Sequence, residues 1–473
     1  MKKLFIIAFA ATVFASCNKD LSGLNVDVKR PTVVPSYALF TNAERNFADY
    51  IITSDVNTNV FRLITQQWTQ TTYTDESNYN IYTRTIPDNT WTSLYRDVLK
   101  DAEEAKTVIP TDVTDAGQQK NEIAICDILQ VHAYYILVNT FGNIPYSQAL
   151  KDSIYFPNFD DAQTVYMDLL SRLDADIAAL DPNAESFGDA DIVYNGDVNL
   201  WLKYANSLKL KMGILIADVD PEKAKSIVEA AASNVFTSGS DNAMFYYYAA
   251  SPNTNPVWAD IVQSQRTDFV AANTFIDLLN SLNDPRRPLY FTKDPNSNYS
   301  GGIPGKGNSY GAFSHFTDKV IAPDAPAPLL TYSEVEFALA EAAARGMNVG
   351  GTAEEHYNKA ITASIEEWGG TATEASNYIA QPDVNYATAP GDWRQKIGTQ
   401  LYIALYNRGF EAWTAIRRLD YPELQEPLNA VSDFPVRFTY PVDEQNINTA
   451  NYDQAAQAIG GDDVTTKLFW DKN

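Results

Sequence analysis

Apolar residues recur at helical spacing along most of this chain, which predicts a mainly α protein. One aspartate-rich segment carries an apolar stripe at four-residue spacing, made of Val165, Leu169, Leu173 and Ile177. Asp181-Pro182 follows, and proline disfavours helical backbone at the residue before it. The pattern therefore predicts an amphipathic helix that ends near residue 181.

Three further segments show helix signals of different kinds. The residues from Glu122 to Val138 are apolar on nearly every face, which predicts a buried helix with His132 packed in the core rather than binding metal. Asp220-Pro221-Glu222 combines an N-cap acid with a proline at the first helical position, which predicts a helix start. The spacing of apolar residues also predicts a helix over Asp268 to Leu282.

The clearest supersecondary unit is a helix pair over residues 333–368. Its first helix has small apolar residues on one stripe, and the glycines of Gly346 to Gly351 indicate a turn. Thr352 to Glu355 has the spacing of a capping box, which predicts the start of the second helix. The unit is similar to a tetratricopeptide repeat, although the chain shows no sustained repeat period elsewhere.

The segment 284–329 differs, because prolines and glycines interrupt every periodic pattern in it. We expect an irregular loop region there, and long loops in compact proteins are usually functional or poorly ordered.

Composition narrows the function classes. The formal charge is −25, which disfavours nucleic acid and anionic lipid surfaces as partners. The chain has 28 tyrosines, whose flat faces and polar tips suit carbohydrate or peptide surfaces as well as helix packing.

Motifs for catalysis and cofactors are weak. His132, His315 and His356 show no metal-binding spacing, and no cysteine pair could bind zinc. The stretch Gly301 to Gly307 lacks two defining positions of a P-loop, and Asp189 to Val193 lacks a ligand of an EF-type calcium loop. No enzyme and no cofactor is predicted. An irregular calcium site and a glycosidase carboxylate pair stay open as alternatives.

The N-terminus has the features of an export signal. Lys2 and Lys3 precede an apolar run from Leu4 to Phe14, which is shorter than the roughly 20 residues of a membrane-spanning helix. Ala15-Ser16-Cys17 resembles the lipobox of bacterial lipoproteins. We therefore expect a signal peptide over residues 1–16, lipid on Cys17, and one domain over residues 17–473. Cys126 is then the remaining thiol and is predicted to be buried and unreactive.

Ordered motifs along nearly the whole chain resemble the SusD/RagB family, in particular its SusD-like branch from Bacteroidetes. Besides Cys17, these motifs are residues 67–76 (QWTQTTYTDE), 139–146 (NTFGNIPY), 194–208 (YNGDVNLWLKYANSL), 283–286 (NDPR), 340–346 (AEAAARG), 409–418 (GFEAWTAIRR) and 468–471 (LFWD).

The resemblance implies a SusD-like fold, in which tetratricopeptide-like helix pairs form a cradle and loop-rich segments face the ligand. It also implies an outer-membrane lipoprotein on the cell exterior that binds an oligosaccharide or peptide without cleaving it. The expected partner is a SusC-type TonB-dependent receptor. A surface glycosidase and a helical-repeat scaffold that binds only protein are the alternatives.

An aromatic and polar cluster is the predicted ligand-binding site, because a sugar ring stacks on aromatic faces while amides and carboxylates bind its hydroxyls. Its members are Trp68, Tyr73, Asp75, Asn78, Tyr79 and Tyr82, joined by Tyr247 with its neighbours Tyr246 and Tyr248, and by Trp258. The alternative for each is a role in packing or in contact with the transporter.

Overall fold

Helices form most of the computed structural model, which describes residues 34–472. The mainly α class predicted from the sequence is confirmed. The signal peptide over residues 1–16 and the lipidation of Cys17 lie outside the described residues and stay predictions. From Ser36 onward, the described residues form one compact unit.

The helices are numbered in chain order. They are α1 (Ser36–Ile52), α2 (Phe61–Ile64), α3 (Ile86–Thr92), α4 (Lys100–Asp112), α5 (Ala116–Phe141), α6 (Ala162–Ala179), α7 (Val198–Leu215), α8 (Pro221–Ala231), α9 (Pro256–Trp258), α10 (Asn273–Ser281), α11 (Arg287–Tyr290), α12 (Asp318–Ile321), α13 (Tyr332–Ala344), α14 (Ala353–Glu367), α15 (Ala372–Ile379), α16 (Trp393–Ala404), α17 (Gly409–Leu419), α18 (Val442–Ile447) and α19 (Thr449–Ala458). A π-helical stretch, Ser93–Leu99, joins α3 to α4, and a second one, Ala259–Gln263, follows α9.

Six short strands pair into three antiparallel two-stranded sheets within the described residues. They are β1 (Trp68–Gln70) with β5 (Phe269–Ala271), β2 (Ile144–Pro145) with β3 (Phe159–Asp160), and β4 (Ala243–Phe245) with β6 (Ala327–Leu330). Each sheet joins segments that are distant along the chain or flank a long loop, so the strands tie loops to the helical body.

Helix α5 lies at the centre of the molecule. Within the described residues it is the one helix with the length and apolar composition of a membrane span, but 89% of its most apolar window is buried inside the protein. His132 lies in this helix and hydrogen-bonds to the Tyr204 hydroxyl, and burial lowers its pKa well below the usual value. Cys126 is also buried. The apolar pattern from Glu122 to Val138 therefore belongs to a core helix.

The C-terminal end of α5 is buried and is capped by residues from distant parts of the chain. Arg417 donates hydrogen bonds to the carbonyls of Asn139, at 3.0 Å, and of Val436, at 2.7 Å. Arg437 donates to the Phe141 carbonyl at 3.0 Å. The last carbonyls of a helix lack partners within it and carry partial negative charge, so buried guanidinium groups satisfy both needs.

Several helix predictions are confirmed. Helix α6 ends at Ala179, and α8 starts at Pro221 with the Asp220 side chain accepting from the Lys223 amide. Helices α13 and α14 form the predicted pair, with the capping box between Thr352 and Glu355.

The predicted helix over Asp268 to Leu282 is wrong at its start. Phe269–Ala271 forms strand β5, and the helix begins only at Asn273. An aromatic and a β-branched residue favour extended backbone, and pairing with Trp68–Gln70 supplies the hydrogen-bond partners. Segment 284–329 is largely irregular, as expected, but it also contains α11, α12 and the start of β6.

We predict that Arg417→Met lowers the free energy of unfolding by about 2–4 kcal/mol, because it leaves buried carbonyls of α5 and residue 436 without donors. Urea denaturation of the two proteins measures this. Arg96→Met is the matched control, since Arg96 is largely exposed and pairs with its neighbour Asp97. Equal loss in both variants would contradict a special role for Arg417.

A second prediction concerns two carboxyl groups between α5 and α6. Burial and the nearby charge of Asp127 raise the pKa of Asp176 to about 8. Its folded-state pKa is above the unfolded value of roughly 4. The contribution of protonated Asp176 to the free energy of unfolding is therefore fully present below about pH 4 and is lost as the pH rises towards about 8. As the pH rises from about 5 to about 9, the free energy of unfolding should therefore fall by about 1–3 kcal/mol more in wild type than in Asp176→Asn.

Urea denaturation at both pH values tests this prediction. Asp174→Asn is the control, because Asp174 lies on the same helix but is largely exposed beside Lys209. Wild type and Asp176→Asn with the same pH dependence would show that Asp176 is already ionised in the folded protein.

Candidate functional site

A polar cleft of about 520 Å³ opens where three loop segments meet. The first segment is residues 54–57, directly after α1. The second is residues 70–84, between β1 and α3, and the third is residues 260–269, leading into β5. The volume lies within the roughly 300–1,000 Å³ typical of small-molecule pockets.

The floor of the cleft is the β1–β5 sheet, held by a buried polar network. Gln70, at the end of β1, pairs with Phe269 across the sheet. Its side-chain amide donates to Glu76 at 2.6 Å, and its side-chain oxygen accepts from the Ser77 amide at 3.0 Å. These bonds fold the chain back over the strand, so that the loop following β1 forms one wall of the cleft.

Arg84 lies on the same wall, and its position is set by Glu76. The Glu76 carboxylate is fully buried and forms an ion pair with Arg84. A second Arg84 nitrogen lies 3.5 Å from the Asn57 side-chain oxygen on the neighbouring segment. The guanidinium is half-buried and pre-oriented, so it can offer remaining N–H groups to a ligand without losing much side-chain freedom.

Asp260 lies on the opposite wall. The hydroxyls of Ser54 and Thr53 donate to its carboxylate at 3.1 and 3.3 Å. Burial raises its pKa, and the charge of Asp55 adds to the effect. Arg266 and Asp268 form a wide ion pair, 4.0 Å apart, at the rim. The cleft therefore presents both donors and acceptors with little excess charge, which suits a neutral polyhydroxylated ligand.

Tyr73 supplies an aromatic face at the edge of the cleft. Its side chain is 76% exposed, and its backbone has a φ of 53°. A left-handed backbone is unusual for a bulky residue, and such strained positions concentrate at functional sites. An exposed ring beside pre-oriented polar groups is the arrangement that sugar stacking requires. Tyr73 is thus the predicted site residue that lines the cleft.

Three other predicted site residues, Trp68, Tyr79 and Asn78, lie beneath this surface. Trp68 is 1% exposed, stacks on Phe316, and donates to the Tyr406 hydroxyl at 3.3 Å. Tyr79 is buried, and its hydroxyl accepts from the Gln66 amide at 2.9 Å. In this structure neither ring has a free face for a sugar, so both support the loops from below.

Asn78 joins three loops. Its amide donates to the Gly305 carbonyl at 3.0 Å, and its oxygen accepts from the Asn429 amide at 3.0 Å. Gly305 has a φ of 77°, and a Cβ there would lie 2.0 Å from the Asn78 oxygen, so only glycine fits. The Asn78 side chain is therefore occupied by hydrogen bonds to these loops, and it stabilises the wall of the cleft.

The other predicted residues are dispersed. Asp75 is half-buried beside Asn80, and Tyr82 is exposed near the backbone of Val464. The Tyr247 hydroxyl donates to Asp49 at 2.8 Å, and Trp258 is half-buried at the end of α9. None of these four is among the residues that line the cleft.

Sequence reasoning missed most of the polar residues of the cleft. Asp55, Asn57, Arg84, Asp260 and Arg266 belong to no recognised motif. The polar run after α1 was the one local signal, and it does not distinguish a ligand site from an ordinary solvent-exposed loop.

Within residues 34–472, no group of three or more histidine, cysteine or acidic side chains could hold a metal ion. The side chains of the cleft can bind a ligand by hydrogen bonds and by stacking. The irregular calcium site that the sequence left open stays untested, because calcium can also be bound by backbone and amide oxygens.

The chain is similar to known proteins over most of its length. A SusD-like family model, described as starch-binding and associating with the outer membrane, matches residues 28–441. A chitin-binding protein has 26% sequence identity and a TM-score of 0.80, over 93% of this chain and 100% of that one.

Two further solved structures are also similar to this chain. A SusD homolog from Bacteroides uniformis has 27% identity and a TM-score of 0.79, over 92% of this chain and 100% of that one. A chitin-binding SusD homolog from Flavobacterium johnsoniae has 24% identity and a TM-score of 0.78, over 92% and 99% of the two chains. No curated protein sequence matches.

Proposed function

We propose a function for this chain on the premise that it belongs to the SusD-like family, as its motifs predicted and the matching family model shows. The family is described as starch-binding and associated with the outer membrane, and one similar structure is of a chitin-binding protein. We propose that the chain binds a neutral oligosaccharide in the cleft beside Tyr73 and does not cleave it.

One observation carries this proposal: an exposed tyrosine stands at the edge of a cleft whose arginine and carboxylate side chains are fixed by other residues. Stacking and pre-oriented hydrogen bonds give affinity for a polyhydroxylated ring without any reacting group. The names of the matched relatives likewise describe binding. Loops carry this cleft, which accords with ligand specificity that varies while the scaffold is kept.

The proposed setting is the outer face of the outer membrane. Lipid on Cys17 would tether the protein there, and a SusC-type TonB-dependent receptor would receive the oligosaccharide. The surplus of negative charge supports lipid tethering over electrostatic adhesion, because an acidic surface is repelled by anionic lipid headgroups. Transfer to a receptor requires reversible binding, which suits a half-open polar cleft rather than a closed cavity.

Removing the aromatic face should weaken binding. Titration calorimetry of the purified protein in detergent, with chitohexaose and with maltoheptaose, measures the affinity. We expect Tyr73→Ala to lower the affinity for the bound oligosaccharide about tenfold, because aromatic stacking contributes roughly 1 kcal/mol beyond buried area.

Tyr155→Ala is the matched control, since Tyr155 is 82% exposed but lies outside the cleft. An unchanged affinity in Tyr73→Ala would argue against the cleft as the binding site. Release of reducing sugar by the wild-type protein would identify an enzyme instead.

The anchoring proposal has its own test. Cells grown with radiolabelled palmitate should label the wild-type protein, and Cys17→Ser should abolish the label. Cys126→Ser is the control, because Cys126 is buried in α5 and burial raises the pKa of its thiol well above the usual value. Labelling that survives in Cys17→Ser would contradict lipidation at this residue.

A further inference from the structure

A second, larger groove runs along the helix pair α13–α14. Its main chamber has a volume of about 1040 Å³, and a smaller chamber of about 430 Å³ adjoins it. Met244, Pro326 and Glu367 line both chambers, so the two form one continuous groove. The main chamber alone reaches the upper end of the roughly 300–1,000 Å³ range of small-molecule pockets. The groove is therefore large enough for an oligomeric ligand.

Aromatic side chains occur along the length of this groove. Tyr246 and Tyr332 line the main chamber, and Trp368 lines the smaller one. Tyr246 directly follows strand β4 and is 60% exposed, and residues 243–248 alternate between more buried and more exposed positions. Trp368 is half-buried and is held by an edge contact with Tyr290, at a centroid distance of 4.6 Å. These rings are positioned by the fold and keep accessible surface.

Polar side chains also line the groove. Asn358 of α14 lines the main chamber, and its side-chain oxygen has no hydrogen-bond partner among the described residues. Glu367, where the chambers meet, accepts from the Ser333 hydroxyl at 3.1 Å. Burial raises the pKa of Glu367 to about 7, so near neutral pH its carboxyl group can both donate and accept. Sugar hydroxyls have the same dual character.

Charge selects against an anionic ligand. The groove carries the carboxylates of Asp318, Asp324 and Glu366, against the ammonium groups of Lys319 and Lys359, while Glu367 is only partly ionised near neutral pH. Arg408 also lines the smaller chamber, but it is paired with Glu334 at 2.6 Å. A neutral ligand that stacks on aromatic faces fits this surface best.

We propose that this groove is a second carbohydrate-binding site, which binds a neutral oligosaccharide along Tyr246, Tyr332 and Trp368. It is distinct from the cleft beside Tyr73, since the two share no lining residue. The proposal extends the proposed function, because it adds a second contact with the same class of ligand. The aromatic residues predicted from the sequence are therefore divided between the two surfaces, with Tyr73 in the cleft and Tyr246 in the groove.

Calorimetric stoichiometry with chitohexaose and with maltoheptaose tests the proposal, using the full-length protein in detergent. We expect two sites in the wild type for the oligosaccharide that binds. Tyr246→Ala should weaken one of them about tenfold, while Tyr73→Ala weakens the other. Ala363→Trp, which places a large ring on the groove side of α14, should block the same site as Tyr246→Ala.

Tyr248→Ala is the matched control, because Tyr248 is 66% exposed in the same segment but does not line the groove. Thermal denaturation should show all these variants folded, and Tyr246→Ala replaces a mainly exposed side chain. A single site that Tyr73→Ala weakens and Tyr246→Ala leaves unchanged would overturn the second site and leave the proposed function standing. A single site that responds only to the groove variants would overturn binding in the cleft beside Tyr73 and leave the groove as the binding site. Binding of neither oligosaccharide would overturn both.

Discussion

The buried C-terminal end of α5 is the constraint on which the rest of the structure depends. A helix of 26 residues in the core ends at Phe141, where several backbone carbonyls lack helical partners. Water does not reach them, so Arg417 and Arg437 must donate instead. Burial lowers the pKa of Arg417 to about 9, which shows how strongly its surroundings disfavour the charge. Leaving either the carbonyls or the guanidinium unpaired there would cost more than most single core contacts provide.

This constraint explains why three of the motifs lie far apart along the chain. Asn139, at the end of α5, accepts a hydrogen bond from the indole of Trp470, 331 positions away. The Arg417 guanidinium lies 3.4 Å from the Trp413 ring centroid and 4.8 Å from that of Trp470. The motifs at residues 139–146, 409–418 and 468–471 therefore meet at one helix end. They specify the scaffold, and the ligand surfaces are carried by loops attached to it.

Scaffold and site consequently differ in how well the sequence predicts them. The helix starts at Asp220 and Thr352 were predictable, because these residues act through local backbone chemistry that neighbouring residues reveal. Burial of an aromatic residue was not. Trp68 and Tyr73 stand five positions apart in one motif, yet tertiary packing buries the first and exposes the second.

The same limit applies to the missed residues and to the mistaken helix start. Asp260 becomes a site residue only through hydroxyls that lie more than 200 positions away. Phe269–Ala271 is extended because β1 pairs with it, a contact between segments about 200 residues apart. Long-range pairing leaves no local pattern, so these features required the structure.

Buried residues connect the two proposed ligand surfaces, which bears on whether they act together. Tyr406 lines the smaller chamber of the groove, and its hydroxyl accepts from the indole of Trp68 in β1, the strand that floors the cleft. The Asn407 amide donates to Gln67 of the same segment at 3.1 Å. Energetic coupling between sites requires an element with two discrete arrangements that both ligands bias. The structure holds these buried rings and hydrogen bonds in one arrangement, so we expect each surface to bind with its own affinity.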